Sequence, residues 1–361
     1  MGLTLKLTDV ELPASPAFIE FLHTSLSGEE FHVGQWFSQE EEGLASNKGR
    51  FEDIQKKAKL VLANDTGKAL VTRSYRYFKE MLTGSPETLK NISRFRFFFV
   101  VGIPRTGGTY LTKQLFRACD IDYTKVQNAL AHDGFPHLSH LSFKNKSNIQ
   151  TNGLLQLAEY LTMVEMYFTK FGKLAHNGGI VVPKKMTKAV YNFPLIQQLF
   201  GQNANYIITL RHPLSMVKSV LDKSGGMPED GKFAVRSAIE RWAMDDWLDR
   251  GFSEKAVKDM DYIEVFLGYW QRYHYKLALA GIPSMPTSRI VVFGKKTMMK
   301  YVSDIYKELN VDLKPEPFKV SKTAKFDSKH EKLATKTIKN VENLWKSLDL
   351  DFPAKDLIEM R

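Results

Sequence analysis

FRFFFVVGIPRTGGTYLTKQLFRAC, residues 95–119, is the stretch whose reading decides the fold. From Phe97 to Val101 the residues are aromatic or β-branched without a break. That pattern belongs to a strand buried on both faces of a parallel sheet. Pro104, Gly107 and Gly108 then interrupt the run, and beyond them Leu111, Leu115 and Ala118/Cys119 recur at helical spacing. The order strand, glycine loop, helix builds an anion cradle, because loop N–H groups and the helix N-terminus converge on one point with partial positive charge.

The identity of the anion depends on one position. Residues 102–109 fit the phosphate-loop template G-x-x-x-x-G-K-[ST] except that Gly108 stands where the lysine belongs. A nucleoside triphosphatase needs that lysine, with magnesium, to neutralise the transferring phosphoryl group. Here the one cation in the loop is Arg105. A second basic strand end lies downstream: the apolar run Tyr206–Leu210 closes on Arg211-His212-Pro213, with Ser219 eight residues after the arginine. Arginine offers a planar fork for two phosphate oxygens, and a serine two turns along the next helix adds a hydroxyl donor. Between the two, Ile180–Val182 reads as a strand closed by Pro183-Lys184-Lys185. Repeated strand-to-helix transitions with basic residues at the strand's C-terminal end are what a doubly wound sheet presents to a ligand.

The segment Pro104-Arg105-Thr106-Gly107-Gly108-Thr109 resembles the first signature of the sulfotransferases that use 3′-phosphoadenosine-5′-phosphosulfate (PAPS), Pro-Arg/Lys-Ser/Thr-Gly-Thr/Ser-Thr, departing from it at Gly108. Arg211 and Ser219 match the spacing of that family's second signature, which holds the 3′-phosphate. The resemblance spans roughly residues 94–312. It implies a P-loop NTPase-like sulfotransferase fold: α/β, three layers α/β/α around a central, mainly parallel sheet. Residues 91–361 would form that domain and residues 1–90 a helical N-terminal extension.

The resemblance also implies PAPS as donor and PAP, adenosine 3′,5′-bisphosphate, as product. The cofactor-binding set would be Arg105, Thr106, Gly107, Gly108, Thr109 and Tyr110 on the 5′ side and Arg211 and Ser219 on the 3′ side. Arg105 would also take part in transfer, as would a lysine at the end of the second strand, Lys185 or its neighbour Lys184. Cytosolic relatives place a histidine two residues beyond that lysine, but Met186 and Thr187 stand there. Other branches use an acidic residue after the first helix, where this chain has His132 and Asp133. A histidine titrates near neutrality and suits general-base work, so His132 is the expected base and Asp133 the alternative. No metal ligand set is expected. A competing reading is a P-loop nucleotide-binding protein or kinase-like phosphotransferase on the same cradle.

Composition bounds the partners. The 361 residues carry a net charge of +11, which favours anionic partners, while the absence of zinc spacings, long arginine runs and RNA-binding signatures argues against nucleic acid. A small-molecule or saccharide acceptor is expected, and the oligomeric state is open. Cys119 is the single cysteine, so no intramolecular disulfide forms, and its place on the inner face of the first helix reads as core. The N-terminal residues lack a basic segment followed by an apolar one, and the longest apolar runs are strand length, so the expectation is a cytoplasmic protein with no membrane span.

Elsewhere the pattern is plainer. Residues 51–63 and 70–82 read as helices, Thr83-Gly84-Ser85-Pro86 as a break, and Glu40-Glu41-Glu42 as a solvated face. Residues 128–152, with His132, His137 and His140, form a long polar loop of the kind that is functional or mobile. The aromatic stripe of residues 262–280, with Trp270, Tyr273 and His274, reads as core, with an acceptor pocket, which the resemblance implies for this region, as the alternative; the lysine-rich tail 314–339 reads as a solvated basic face, where relatives fold a basic loop over the 3′-phosphate.

Overall fold

The computed structural model describes residues 14–28, 48–85, 90–131, 149–191, 193–320 and 325–359. His132, Asp133, most of the polar loop around them and the acidic run at 40–42 lie outside the described residues. The helices used below are α1 (Pro16–Ser27), α2 (Lys48–Ala63), α3 (Asp65–Thr83), α4 (Gly108–Ala118), α5 (Ile149–Phe171), α6 (Phe193–Phe200), α7 (Pro213–Lys223), α8 (Ala238–Leu248), α9 (Tyr262–Leu279), α10 (Lys295–Glu308) and α11 (Ser328–Ser347). The strands are β1 (Phe95–Val101), β2 (Ala175–His176), β3 (Gly179–Lys185), β4 (Ala204–Leu210) and β5 (Ser288–Val292). They form one mixed, mostly parallel sheet in the order β2-β3-β1-β4-β5, so the fold is α/β.

β1 is the expected strand, two residues longer at its N-terminus, and six of its seven residues are buried. Its alternate side chains point to opposite faces, so a run that is apolar at every position is stable only with both faces covered. Burying each of the rings Phe97, Phe98 and Phe99, all at most 1 % exposed, contributes about 1.5–3 kcal/mol.

The described chain divides into two compact units. The first comprises residues 1–98, 115–188 and 195–204. Its centre is α5, against which α3 packs most extensively. Glu165 of α5 accepts hydrogen bonds from Arg73 Nε at 3.2 Å and the Tyr77 hydroxyl at 2.8 Å, and pairs with Arg94. Glu159, one turn and a half earlier, is buried and accepts from the backbone N–H of Ser15 at 2.7 Å and from the Ser15 hydroxyl. Ser15 is in turn the N-cap of α1, so this carboxylate sits at a helix start, where the backbone favours negative charge. The N-terminal helices are therefore tied to α5 by specific buried polar contacts. Cys119 is 1 % exposed and burial pushes its thiol pKa well up, as a core cysteine requires.

The second unit comprises residues 99–114, 189–194 and 205–361. β4 and β5 pair in parallel with Ile208 opposite Ile290, and α9 and α11 form its largest helix pair. The aromatic stripe of α9 is core: Trp270, Tyr273 and His274 are fully buried. The basic tail contains α11, which an isolated lysine count conceals. Ala334, Ile338, Val341 and Trp345 recur at helical spacing and are buried, and Asp327 caps the helix by accepting from His330 N. Thus the solvated basic face is one side of an amphipathic helix. Among the described residues no helix is long and apolar enough to cross a membrane.

Candidate functional site

The loop after β1 departs from ordinary backbone geometry at two alternate residues: Arg105 has φ 72° and Gly107 φ 90°. For arginine the left-handed region costs roughly 1–2 kcal/mol, and two groups offset that cost. Arg211 Nη1 donates to the Arg105 carbonyl at 2.8 Å. The Thr106 hydroxyl, 2 % exposed, donates to Ile103 O at 2.7 Å and meets the Thr209 hydroxyl at 2.7 Å. Left-handed positions in such a turn aim successive N–H groups at one point, and α4 begins at Gly108, so its unsatisfied N–H groups add to the same end.

Both glycines of the loop framework have a steric reason. A Cβ on Gly107 would stand 2.3 Å from Met298 Cε and 3.3 Å from Phe293 Cδ2. One on Gly102 would stand 2.0 Å from Thr209 Oγ1. β1 and β4 thus approach at Gly102 and Thr209 as closely as backbone and hydroxyl allow.

The cations gather at this loop. Arg105 Nε donates to Ser219 Oγ at 2.9 Å, and Arg211, at the end of β4, is 5 % exposed with its guanidinium 3.9 Å above the Phe293 ring. Burial and the neighbouring Arg105 charge pull the Arg211 pKa down to about 10, while Asp222 opposes this. Burial also lowers the Arg105 pKa, again against Asp222. Asp222 itself is paired with Lys218 on the same helix. Both arginines remain charged at neutral pH, and the fall in the Arg211 pKa reflects burial of its guanidinium beside the like charge of Arg105. An arriving dianion would relieve both effects.

The structure brings together Arg105, Thr106, Gly107, Gly108, Thr109, Tyr110, Arg211 and Ser219 within the second unit. Their roles within it differ. The Thr106 hydroxyl is turned inward to Ile103 and Thr209. Thr109 is exposed on the first turn of α4 and Gly108 is buried. Tyr110 donates its hydroxyl to Glu316 O at 2.7 Å and stacks on Phe318 with centroids 4.6 Å apart. Gln114 anchors the same segment, accepting from Glu316 N at 3.1 Å. Residues 312–320, which have no helix or strand, are therefore strapped along α4 with Phe318 set against Gly107 and Phe293.

Lys184 and Lys185 lie in the first unit and differ sharply. Lys184 is fully buried with its Nζ 4.4 Å over the Tyr160 ring, whereas Lys185, the last residue of β3, is half-buried. Of the two, Lys185 has the access that contact with a ligand needs.

Sequence reasoning missed Phe293, Phe318 and Asp222. Phe293 follows β5 directly and so stands at the carboxyl end of a parallel strand beside Arg211, where the rule for doubly wound sheets looks for ligands. Asp222 is three residues beyond Ser219, one turn along the same face of α7. Nothing local marks Phe318, whose place depends on the path of an irregular segment. Among the described residues no group of three or more His, Cys, Asp or Glu side chains stands close enough to hold a metal.

Fold and geometry together define an α/β protein with a two-arginine cluster at a glycine loop between a buried strand and a helix. No family model matches this chain, and no curated protein does. Among solved structures it is similar to the crystal structure of the sulfotransferase STF1 from Mycobacterium tuberculosis H37Rv, at 14% identity and a TM-score of 0.36 over 95% of each chain. A likeness this distant carries nothing over about the site.

Proposed function

We propose that this protein is a sulfotransferase that moves a sulfuryl group from PAPS to a hydroxyl or amine acceptor by in-line displacement, releasing PAP. The observation that carries the proposal is the convergence of Arg105, Arg211 and Ser219 on the loop that opens α4, with the Arg211 guanidinium buried beside the Arg105 charge. A nucleotide with phosphate on both its 5′ and 3′ positions would use the loop and helix N–H groups for one and the Arg211–Ser219 pair for the other.

The donor supplies an activated sulfuryl group; the chain has to hold it, withdraw charge from the departing oxygen and take a proton from the acceptor. Positioning comes from the backbone N–H groups of Gly107, Gly108 and Thr109, fixed in direction by the Thr106–Thr209 pair beneath them. Arg105 and those N–H groups provide preorganised positive charge, the largest single contribution in most such reactions. Lys185 is assigned to the leaving group and His132, or else Asp133, to the acceptor proton, both on the sequence resemblance.

Isothermal calorimetry with PAP against ATP plus magnesium tests the proposal. Tight PAP binding without magnesium is expected. Arg211→Ala should weaken it by roughly 10- to 100-fold, the worth of a charge-assisted hydrogen bond of about 1.5–3 kcal/mol. A preference for Mg-ATP over PAP would overturn it in favour of a nucleotide-dependent phosphotransferase.

A further inference from the structure

We infer that Trp270 is a positioning residue for Arg211, and that its indole N–H sets how well the site reads a 3′-phosphate; the inference rests on the function proposed above. The reason lies in where Arg211 stands. β5 hands its last ladder bond to the preceding residue, Phe293 N donating to Leu210 O at 2.7 Å. The chain then turns at once into α7 through Pro213, which has no N–H to give. The Arg211 carbonyl is therefore past the end of the ladder and ahead of the helix, in a position buried from water.

Trp270 Nε1 donates to that carbonyl at 3.0 Å from the fully buried face of α9. The indole is itself held. His274 Nδ1 is 2.7 Å from Trp270 O, and burial drops the imidazole pKa to about 4. The ring is thus neutral, with its Nδ1 proton on that carbonyl. The His274 and Trp270 rings stack at 4.1 Å, and Phe352 closes over both. Trp345 of α11 donates to His274 O at 3.1 Å. None of these side chains is aimed at a ligand. Of these three hydrogen bonds only the last, Trp270 Nε1 to Arg211 O, reaches the peptide from which the anion-reading guanidinium projects; the Trp345 bond ends on the His274 backbone and braces α9 against α11.

Two further contacts make the guanidinium sensitive to that peptide's orientation. Its Cζ stands 3.9 Å from the centre of the Phe293 ring, and its Nη1 holds the left-handed Arg105 through the Arg105 carbonyl. A small rotation at Arg211 disturbs both and so moves the two cations together. Trp270 accordingly acts first on the 3′-phosphate subsite, through Arg211, and more weakly on the 5′ side, through the Arg211 bond to the Arg105 carbonyl.

The test compares PAP with adenosine 5′-phosphate by calorimetry on the full chain. The wild type should prefer PAP. Trp270→Phe, which keeps an aromatic ring and removes the N–H, should reduce the preference about tenfold, with a smaller loss of adenosine 5′-phosphate affinity. Trp345→Phe removes an equally buried indole N–H from the same cluster, so it should lower melting temperature and leave the preference intact. Should Trp270→Phe fail to fold, the wild-type protein serves. Its Trp270 indole N–H resonance should shift with PAP and less with adenosine 5′-phosphate, with the Trp345 resonance, assigned through Trp345→Phe, unmoved by either. Equal loss of preference in both variants, an unchanged preference in Trp270→Phe, or an unresponsive Trp270 resonance overturns the positioning role alone. A wild type that does not distinguish the two nucleotides removes the function it rests on.

Discussion

Gly102 to alanine is the most direct test of how the loop is built. The added methyl would sit 2.0 Å from Thr209 Oγ1, 2.8 Å from Thr209 O and 2.9 Å from Thr106 Oγ1. Two of these atoms are fixed: one is backbone in the centre of the sheet, and the other is committed to Ile103 O. The Thr209 hydroxyl has to rotate away, which breaks the 2.7 Å contact with Thr106 and costs about 1 kcal/mol. Overpacking against the Thr209 carbonyl adds roughly 1–3 kcal/mol. Alanine also restricts the unfolded chain, returning about 0.4–1 kcal/mol. The net loss is therefore about 1–3 kcal/mol, read by urea unfolding monitored through tryptophan fluorescence. Adding Thr209→Ala removes the closest clash and not the carbonyl contact. The double variant should thus recover part of the stability that the separate losses, added together, would predict to be missing. Wild-type stability in Gly102→Ala, or strictly additive losses in the pair, would refute the close approach of β1 and β4 at this point.

The other expectations follow from particular neighbours. His274 is fully buried with its pKa pulled to about 4 against an ordinary 6.5. The unfolded chain therefore takes up this proton first, and stability present above pH 6.5 should fall between pH 6.5 and 4 by roughly 3 kcal/mol. His274→Gln should flatten that part of a stability-against-pH curve, and an unchanged slope would show that other groups produce it. Lys185→Ala should cut sulfuryl turnover at least tenfold with melting temperature nearly unchanged. Lys184→Ala should instead destabilise, because it removes a side chain packed over Tyr160; equal behaviour of the two would contradict the difference in exposure. His132→Ala should keep PAP affinity and lose transfer, and unchanged turnover would pass the role of base to Asp133 or elsewhere. Gln114→Leu should release residues 312–320, detected as faster amide hydrogen exchange at Glu316, whose N–H it accepts.

The parts of this chain that were legible in sequence are those whose cause is local. β1 announces itself because a strand covered on both faces has to be apolar at every position, and α4 follows because Leu111 and Leu115 repeat at helical spacing. Arg211 at a strand end and Ser219 on the helix that follows could be placed because one short turn and two turns of helix separate them. What sequence could not give is how Arg105 is used. Its residue type says cation, but its place at Ser219 depends on a left-handed backbone held by Arg211 from another strand, 106 residues away in the chain. At Thr106 residue type says hydroxyl, but only the nearness of Thr209, allowed by Gly102, shows that the hydroxyl turns inward. Trp270 is core, as its helical spacing suggested, but spacing does not say where its N–H goes. A buried indole brings a polar N–H that has to be satisfied, and here the acceptor is the Arg211 carbonyl. In a fold of this kind the framework behind the ligand loop is therefore recognisable less from its own motif than from which buried donors the rest of the core sends toward it.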